Sequence, residues 1–99
     1  VRLEKSPKAA KKFCATVWVS SAKRPVRVHF GAAGMEDYTM HGDKARRRRY
    51  LRRHRKRENW TLSGIATPGF WSRWLLWHKK SIRASRASIS RRFGVRFVR

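Results

Sequence analysis

Ten of the fourteen residues from Lys44 to Arg57 (KARRRRYLRRHRKR) are lysine or arginine, and no acidic residue interrupts them until Glu58. Wound as a helix, the run sets like charges one turn apart at Lys44/Arg48, Arg48/Arg52, Arg49/Arg53, Arg52/Lys56 and Arg53/Arg57. Each such pair opposes helix formation by about 0.2–0.5 kcal/mol, and the five together by about 1–2.5 kcal/mol. Only Ala45, Tyr50, Leu51 and His54 offer apolar surface, so the helix buries a narrow stripe and exposes the rest. Such a segment is at ease only against something polyanionic.

The remainder of the chain sharpens that constraint. A net charge of +22 over 99 residues exceeds what solubility needs, and its self-repulsion weakens a compact monomer. Nucleic acid is the usual partner of such a chain. The sequence is nevertheless 40% hydrophobic and 12% aromatic, unlike a disordered basic tail, so one small domain with a packed core is expected. Folding at this length buries about 60–65% of the extended chain's surface, so stability is expected to be modest and partner-dependent. The single cysteine, Cys14, excludes an internal disulfide and a two-cysteine zinc pair, which suits a reducing compartment. No apolar run is long enough to span a bilayer, and the first residues carry lysines without an apolar signal core; a soluble or peripherally bound protein is expected.

Residues 1–12 (VRLEKSPKAAKK) show no periodicity and read as a basic extended arm, leaving 13–99 as a single small α+β domain. Phe13, Ala15, Val17 and Val19 alternate with Cys14, Thr16 and Trp18, and Val26, Val28 and Phe30 alternate with Arg27 and His29, both at strand period. The turn-forming SSAKRP between them predicts a β-hairpin. Asp43 is placed to cap the basic helix, and Thr67-Pro68 to start a second one bearing Phe70, Trp71, Trp74 and Leu75 on one side. Ser81 and Gly94 bracket a third, with Ile82, Ile89 and Phe93 along one face. The tail VRFVR alternates again and is expected to add a strand. The predicted fold is thus a small antiparallel sheet with about three helices, one strongly basic and one an aromatic-rich core helix.

The predicted polyanion contacts are Arg46, Arg47, Arg48, Arg49, Arg52, Arg53, Arg55, Lys56 and Arg57, because the planar guanidinium matches phosphate bidentately. Additional contacts are expected from Lys11, Lys12, Trp18, Arg83, Arg86, Arg91 and Arg92. Little Asn or Gln is available there to pair with adenine, so phosphate contact with weak specificity is expected. Three of the five tryptophans share the aromatic helix with Phe70 and Leu75 and read as core, whereas Trp18 faces away from Phe13, Val17 and Val19. The histidines His29, His41, His54 and His78 lack a two-ligand spacing, so no metal or other cofactor is expected. Glu36, Asp37, Asp43 and His41 read as a turn and a helix cap, and Gly31-Ala-Ala-Gly34 as a turn, although the first group suits Mg²⁺ in a nuclease and the second a backbone clamp. Ser81, Ser85, Ser88 and Ser90 stand among arginines, where phosphorylation would cancel charge.

From Val28 to Phe93, VHFGAAGMEDYTMHGDKARRRRYLRRHRKRENW followed by GIATPGFWSRWLLWHKKSIRAS resembles a small family of basic proteins from large DNA viruses of algae, the chlorella-virus group and its relatives. The resemblance covers about two-thirds of the chain, and the order HFG, DYT-H-D, RYLRRH-KRE-W, GFWSRWLLW carries it. It implies a virion protein with no catalytic residues, a minor capsid or internal component of a large assembly. Its partners would be nucleic acid, acidic capsid proteins or, peripherally, an anionic membrane. The alternative is a ribosomal or organellar-ribosomal RNA-binding protein, for which small size and a basic arm are ordinary.

Overall fold

A computed structural model describes residues 1–20 and 22–98; Ser21, in the expected turn, and Arg99, in the expected tail, lie outside the described residues. Three strands, β1 (Arg2–Lys5), β2 (Lys11–Val17) and β3 (Val26–Ala32), form an antiparallel sheet in that order. Four helices follow: α1 (Tyr38–His41), the basic α2 (Lys44–His54), α3 (Pro68–Trp71), which continues into a π-helical stretch Ser72–Leu76, and α4 (Ile82–Phe93). The protein is α+β, with an aromatic cluster between sheet and helices.

Register follows from which residues must be buried. Leu3, Ala15 and Val28 share one cross-strand row and Phe13 pairs with Phe30, so the inward face is apolar over the core, with Lys5 and Lys11 on the same face at its exposed end. Glu4, Cys14 and His29 form an outward row, and Arg2, Thr16 and Arg27 another. Cys14 and Thr16 are buried on this face as well. They are short side chains on the central strand, and the longer neighbours on both sides cover them, with Arg27 reaching toward Glu4 at 4.0 Å.

The first twelve residues are not a free arm. Residues 2–5 are extended, but as the edge strand β1, whose Leu3 packs on the core and whose backbone pairs with residues 13–16. One apolar residue in four is too short a pattern to announce a strand. The tail does return to the sheet, alongside β1 and parallel to it, through a single bridge between Arg2 and Val98. The Val1 amino group donates to the Arg96 carbonyl and the Val98 amide to the Val1 carbonyl, each at 2.8 Å, which closes the sheet edge.

Thr67 caps α3 by accepting from the Phe70 amide, and Pro68 occupies the first turn, where its missing N–H is not needed. Through α3 and its π-helical continuation, Phe70, Trp71, Leu75 and Leu76 are fully or almost fully buried against the sheet, α4 and the tail. Trp71 donates its indole N–H to the Ile65 carbonyl at 2.7 Å and Trp74 to the Trp60 carbonyl at 2.8 Å, so neither buried indole is left unsatisfied. β3 approaches this helix closely at Gly31, whose φ of 78° only glycine adopts readily and where a Cβ would meet Leu76. The GxxG stretch is therefore a turn that brings the sheet onto the core helix.

Candidate polyanion-binding surface

Asp43 starts α2 by accepting from the amides of Ala45 at 2.9 Å and Arg46 at 3.2 Å. The bond from the Arg46 amide is the main reason its carboxyl is held below the usual range, aided by the Ala45 amide, His41 and Arg49 against the opposing effect of desolvation. The helix then docks through Tyr50. Its ring lies between His54, 4.1 Å away at 21°, and Trp77, 4.2 Å away and nearly parallel at 3°. Glu58 accepts from the Trp60 indole N–H at 2.9 Å and pairs with His54 Nδ1 at 2.8 Å, fixing the end of that stack.

Docking divides the arginines of α2 into two sets. Arg46 reaches Glu36 at 3.0 Å, and Arg47 donates its Nε to the Trp77 carbonyl at 2.9 Å while lying over the Tyr38 ring. These two belong to the same stripe as Tyr50 and His54 and help to hold α2 in place, a role in the fold that the sequence did not announce. Arg48 and Arg52 project from the opposite side, Arg49 and Arg53 are exposed on the flank beside Arg46 and Trp77, and Arg55, Lys56 and Arg57 continue the exposed surface beyond the last turn.

The carboxylates make this separation sharper. Glu4 pairs with Arg27, Glu36 with Arg46, Asp37 with Lys12 and Glu58 with His54, while Asp43 is taken by the N-terminus of α2. Among the described residues, Lys12, Arg27 and Arg46 are the only lysines or arginines within 4.0 Å of a carboxylate. Arg47 and Arg73 have only a backbone carbonyl and aromatic rings as partners, and Arg48, Arg49, Arg52, Arg53 and Arg55–Arg57 face solvent. A polyanion is the complement such a surface lacks.

The remaining expected contacts fall in different places. Lys12 lies in β2, side chain 15% exposed and 2.6 Å from Asp37, so it is a structural ion pair and not an arm contact. Lys11 stays exposed at the start of the same strand. Trp18, just beyond the end of β2, is 54% exposed, with Arg2 over its ring at 5.9 Å. On α4, Arg83, Arg91 and Arg92 are exposed, Arg92 lying over the Trp74 ring at 4.6 Å, whereas the half-buried Arg86 lies over Phe97 at 4.8 Å. Asp37 accepts from the Thr39 amide and caps α1, and His41 Nδ1 accepts from the Asp43 amide, so the acidic cluster is committed to turns. Ser85 and Ser88 are buried and bonded to the Lys79 amide and His78, which removes them as phosphorylation sites; Ser81 caps α4.

Sequence reasoning missed Arg73 and His78. Arg73 stacks on Trp74 at 4.2 Å and Trp60 at 5.2 Å, and burial, then the charges of Arg47 and Arg92, bring its pKa down to about 10. An arginine inside the aromatic string FWSRWLLW was the available signal. His78 bonds through Nε2 to Ser88 Oγ at 2.9 Å, and burial, followed by Arg73, Lys79, Arg47 and Arg92, pushes its pKa down to about 4.

A histidine whose folded pKa lies below its unfolded value near 6.5 is protonated first in the unfolded chain. Stability present above pH 6.5 is therefore lost as the pH falls from 6.5 toward 4. His29, lowered by desolvation and then by Lys8, Arg27 and Lys11, acts in the same direction. Thermal melts should show the midpoint falling across this window, with a smaller fall in His78→Gln. An equal fall in wild type and variant would contradict the assignment to His78.

No curated protein and no solved structure matches the chain. Residues 1–54, which span the sheet, α1 and the whole of α2, match the family DUF5754. The chain accordingly belongs to DUF5754, a family of unknown function.

Proposed function

We propose that the protein is a non-catalytic structural component of a large nucleic-acid-containing particle, binding backbone phosphates through α2. The exposed stripe formed by Arg48, Arg49, Arg52 and Arg53, extended by Arg55, Lys56 and Arg57 and without a carboxylate within 4.0 Å among the described residues, carries this reading. Arginines four residues apart repel one another in the free protein, and phosphates laid along the stripe turn that repulsion into attraction while releasing counterions. Backbone contact of this kind positions a protein without reading sequence. The resemblance to basic proteins of large algal DNA viruses supports a virion as the particle and a minor capsid or internal protein as the role.

Ultraviolet crosslinking of native particles followed by mass spectrometry tests this reading. Nucleotide adducts are expected on peptides covering residues 48–57. Crosslinks from those peptides only to acidic segments of an abundant shell protein would overturn it in favour of a protein-binding capsid component.

A further inference from the structure

A second basic feature differs in shape from the convex α2 stripe. Between the start of α2 and residues 78–80 lies a cleft of about 500 Å³. Its walls carry Lys44, Arg47, Arg48, Lys79 and Lys80, with His78 among them and no carboxylate.

Arg47, in its wall, and Arg73, which does not line it, are both short of acceptors. The guanidinium groups of Arg47 and Arg73 converge on one acceptor, the Trp77 carbonyl, at 2.9 and 3.4 Å. A single carbonyl dipole does not balance two like charges, and neither arginine has a carboxylate within 4.0 Å. Arg73 Nε is buried without a hydrogen-bond partner, and so is His78 Nδ1. His78 Nε2 is already engaged by Ser88. In the tautomer that accepts the Ser88 proton at Nε2, the Nδ1–H is a buried donor with no acceptor. Orphaned buried donors are uncommon because each forfeits its hydration. An oxyanion in the cleft would supply the missing negative charge.

We propose that this cleft seats one phosphate group, with Arg47, Arg48, Lys79 and Lys80 supplying charge and His78 in the wall beside it. The identity of the ligand as a phosphate of bound nucleic acid rests on the function proposed above; the seat itself stands on the cleft's own geometry. It would fix the polynucleotide at one end of α2, whereas the open stripe permits many registers. Tetrahedral phosphate suits the site because several donors converge from separate elements, α2 on one side and residues 78–80 on the other.

The direct probe is inorganic phosphate, followed through the ring resonances of His78, identified by their loss in His78→Gln. Wild type is expected to show a saturable shift of those resonances and a rise in the His78 pKa from its depressed value, as an anion offsets Arg73, Lys79, Arg47 and Arg92. Lys79→Gln/Lys80→Gln, two exposed positions whose replacement leaves the core intact, should weaken phosphate roughly tenfold, while Arg52→Gln/Arg53→Gln changes it by less than about twofold. An unmoved His78 in wild type, or equal weakening in both variants, overturns the seat.

A duplex DNA titration separates the two claims. DNA that shifts His78 as phosphate does supports the polynucleotide as ligand. DNA that binds without moving His78, while phosphate moves it, rejects the polynucleotide and leaves a small phosphate compound as the ligand. Failure of DNA to bind at low salt would remove the α2 reading and leave the phosphate result to decide the cleft.

Discussion

Replacing Trp71 by alanine is expected to lower stability by about 3–5 kcal/mol, enough to unfold much of the free protein at ambient temperature. Trp71 is fully buried, stacks on Phe30 of the sheet and meets Phe70 and Phe97 edge-on. The substitution removes contacts to β3, to the core helix and to the tail at once, and strips the Ile65 carbonyl of its donor. Small domains hold a total of about 5–15 kcal/mol, and the uncompensated charge here argues for the lower part of that range. Trp18→Ala, at a position 54% exposed, should change stability by no more than about 0.5 kcal/mol. Denaturant titration followed by circular dichroism checks both. Similar midpoints for wild type and Trp71→Ala would mean that the core is not organised around this residue.

The second large effect has opposite signs in the free and bound states. Glutamine at Arg48, Arg49, Arg52, Arg53, Arg55 and Arg57 preserves helix propensity and removes every like-charge pair along the exposed stripe. Three of those pairs lie within α2 as it is formed, and relief of about 0.6–1.5 kcal/mol of repulsion should raise the melting temperature of the free protein by about 3–10 °C. The same change should abolish most of the stabilisation that wild type gains from nucleic acid, since that gain depends on the affinity being lost. A surface that merely keeps the protein soluble would show neither the rise nor the loss. Tyr50, His54, Arg46 and Arg47 are left untouched, so the attachment of α2 to Trp77 and Glu36 survives the change.

Much of this organisation was legible in the chain because it depends on neighbours in sequence. The alternation of Phe13, Ala15 and Val17 and of Val28 and Phe30 announced the hairpin, and Asp43, Thr67-Pro68, Ser81 and Gly94 marked helix ends that the structure places at those residues. What escaped depends on distant partners. Nothing near Arg46 or Arg47 tells them apart from Arg48 or Arg49; the difference lies in the Trp77 carbonyl, thirty residues on, and in Glu36. β1 carries a single apolar anchor, and its strand state is fixed by β2 and by the tail beside it. Burial of Cys14 and Thr16 on the outward face reflects the length of their cross-strand neighbours, a property of the register and not of the residues themselves. The phosphate cleft was hidden for the same reason, since the start of α2 and residues 78–80 meet only in the folded protein.

The central claim is that the exposed face of α2 contacts backbone phosphates, and the salt dependence of DNA binding tests it most directly. Each lost phosphate contact should reduce the slope of log K against log salt by about 0.9, so the six-glutamine variant should bind with a slope shallower than wild type by about 5. Equal slopes for the two proteins, with DNA bound by both, would place the contact elsewhere and contradict the account.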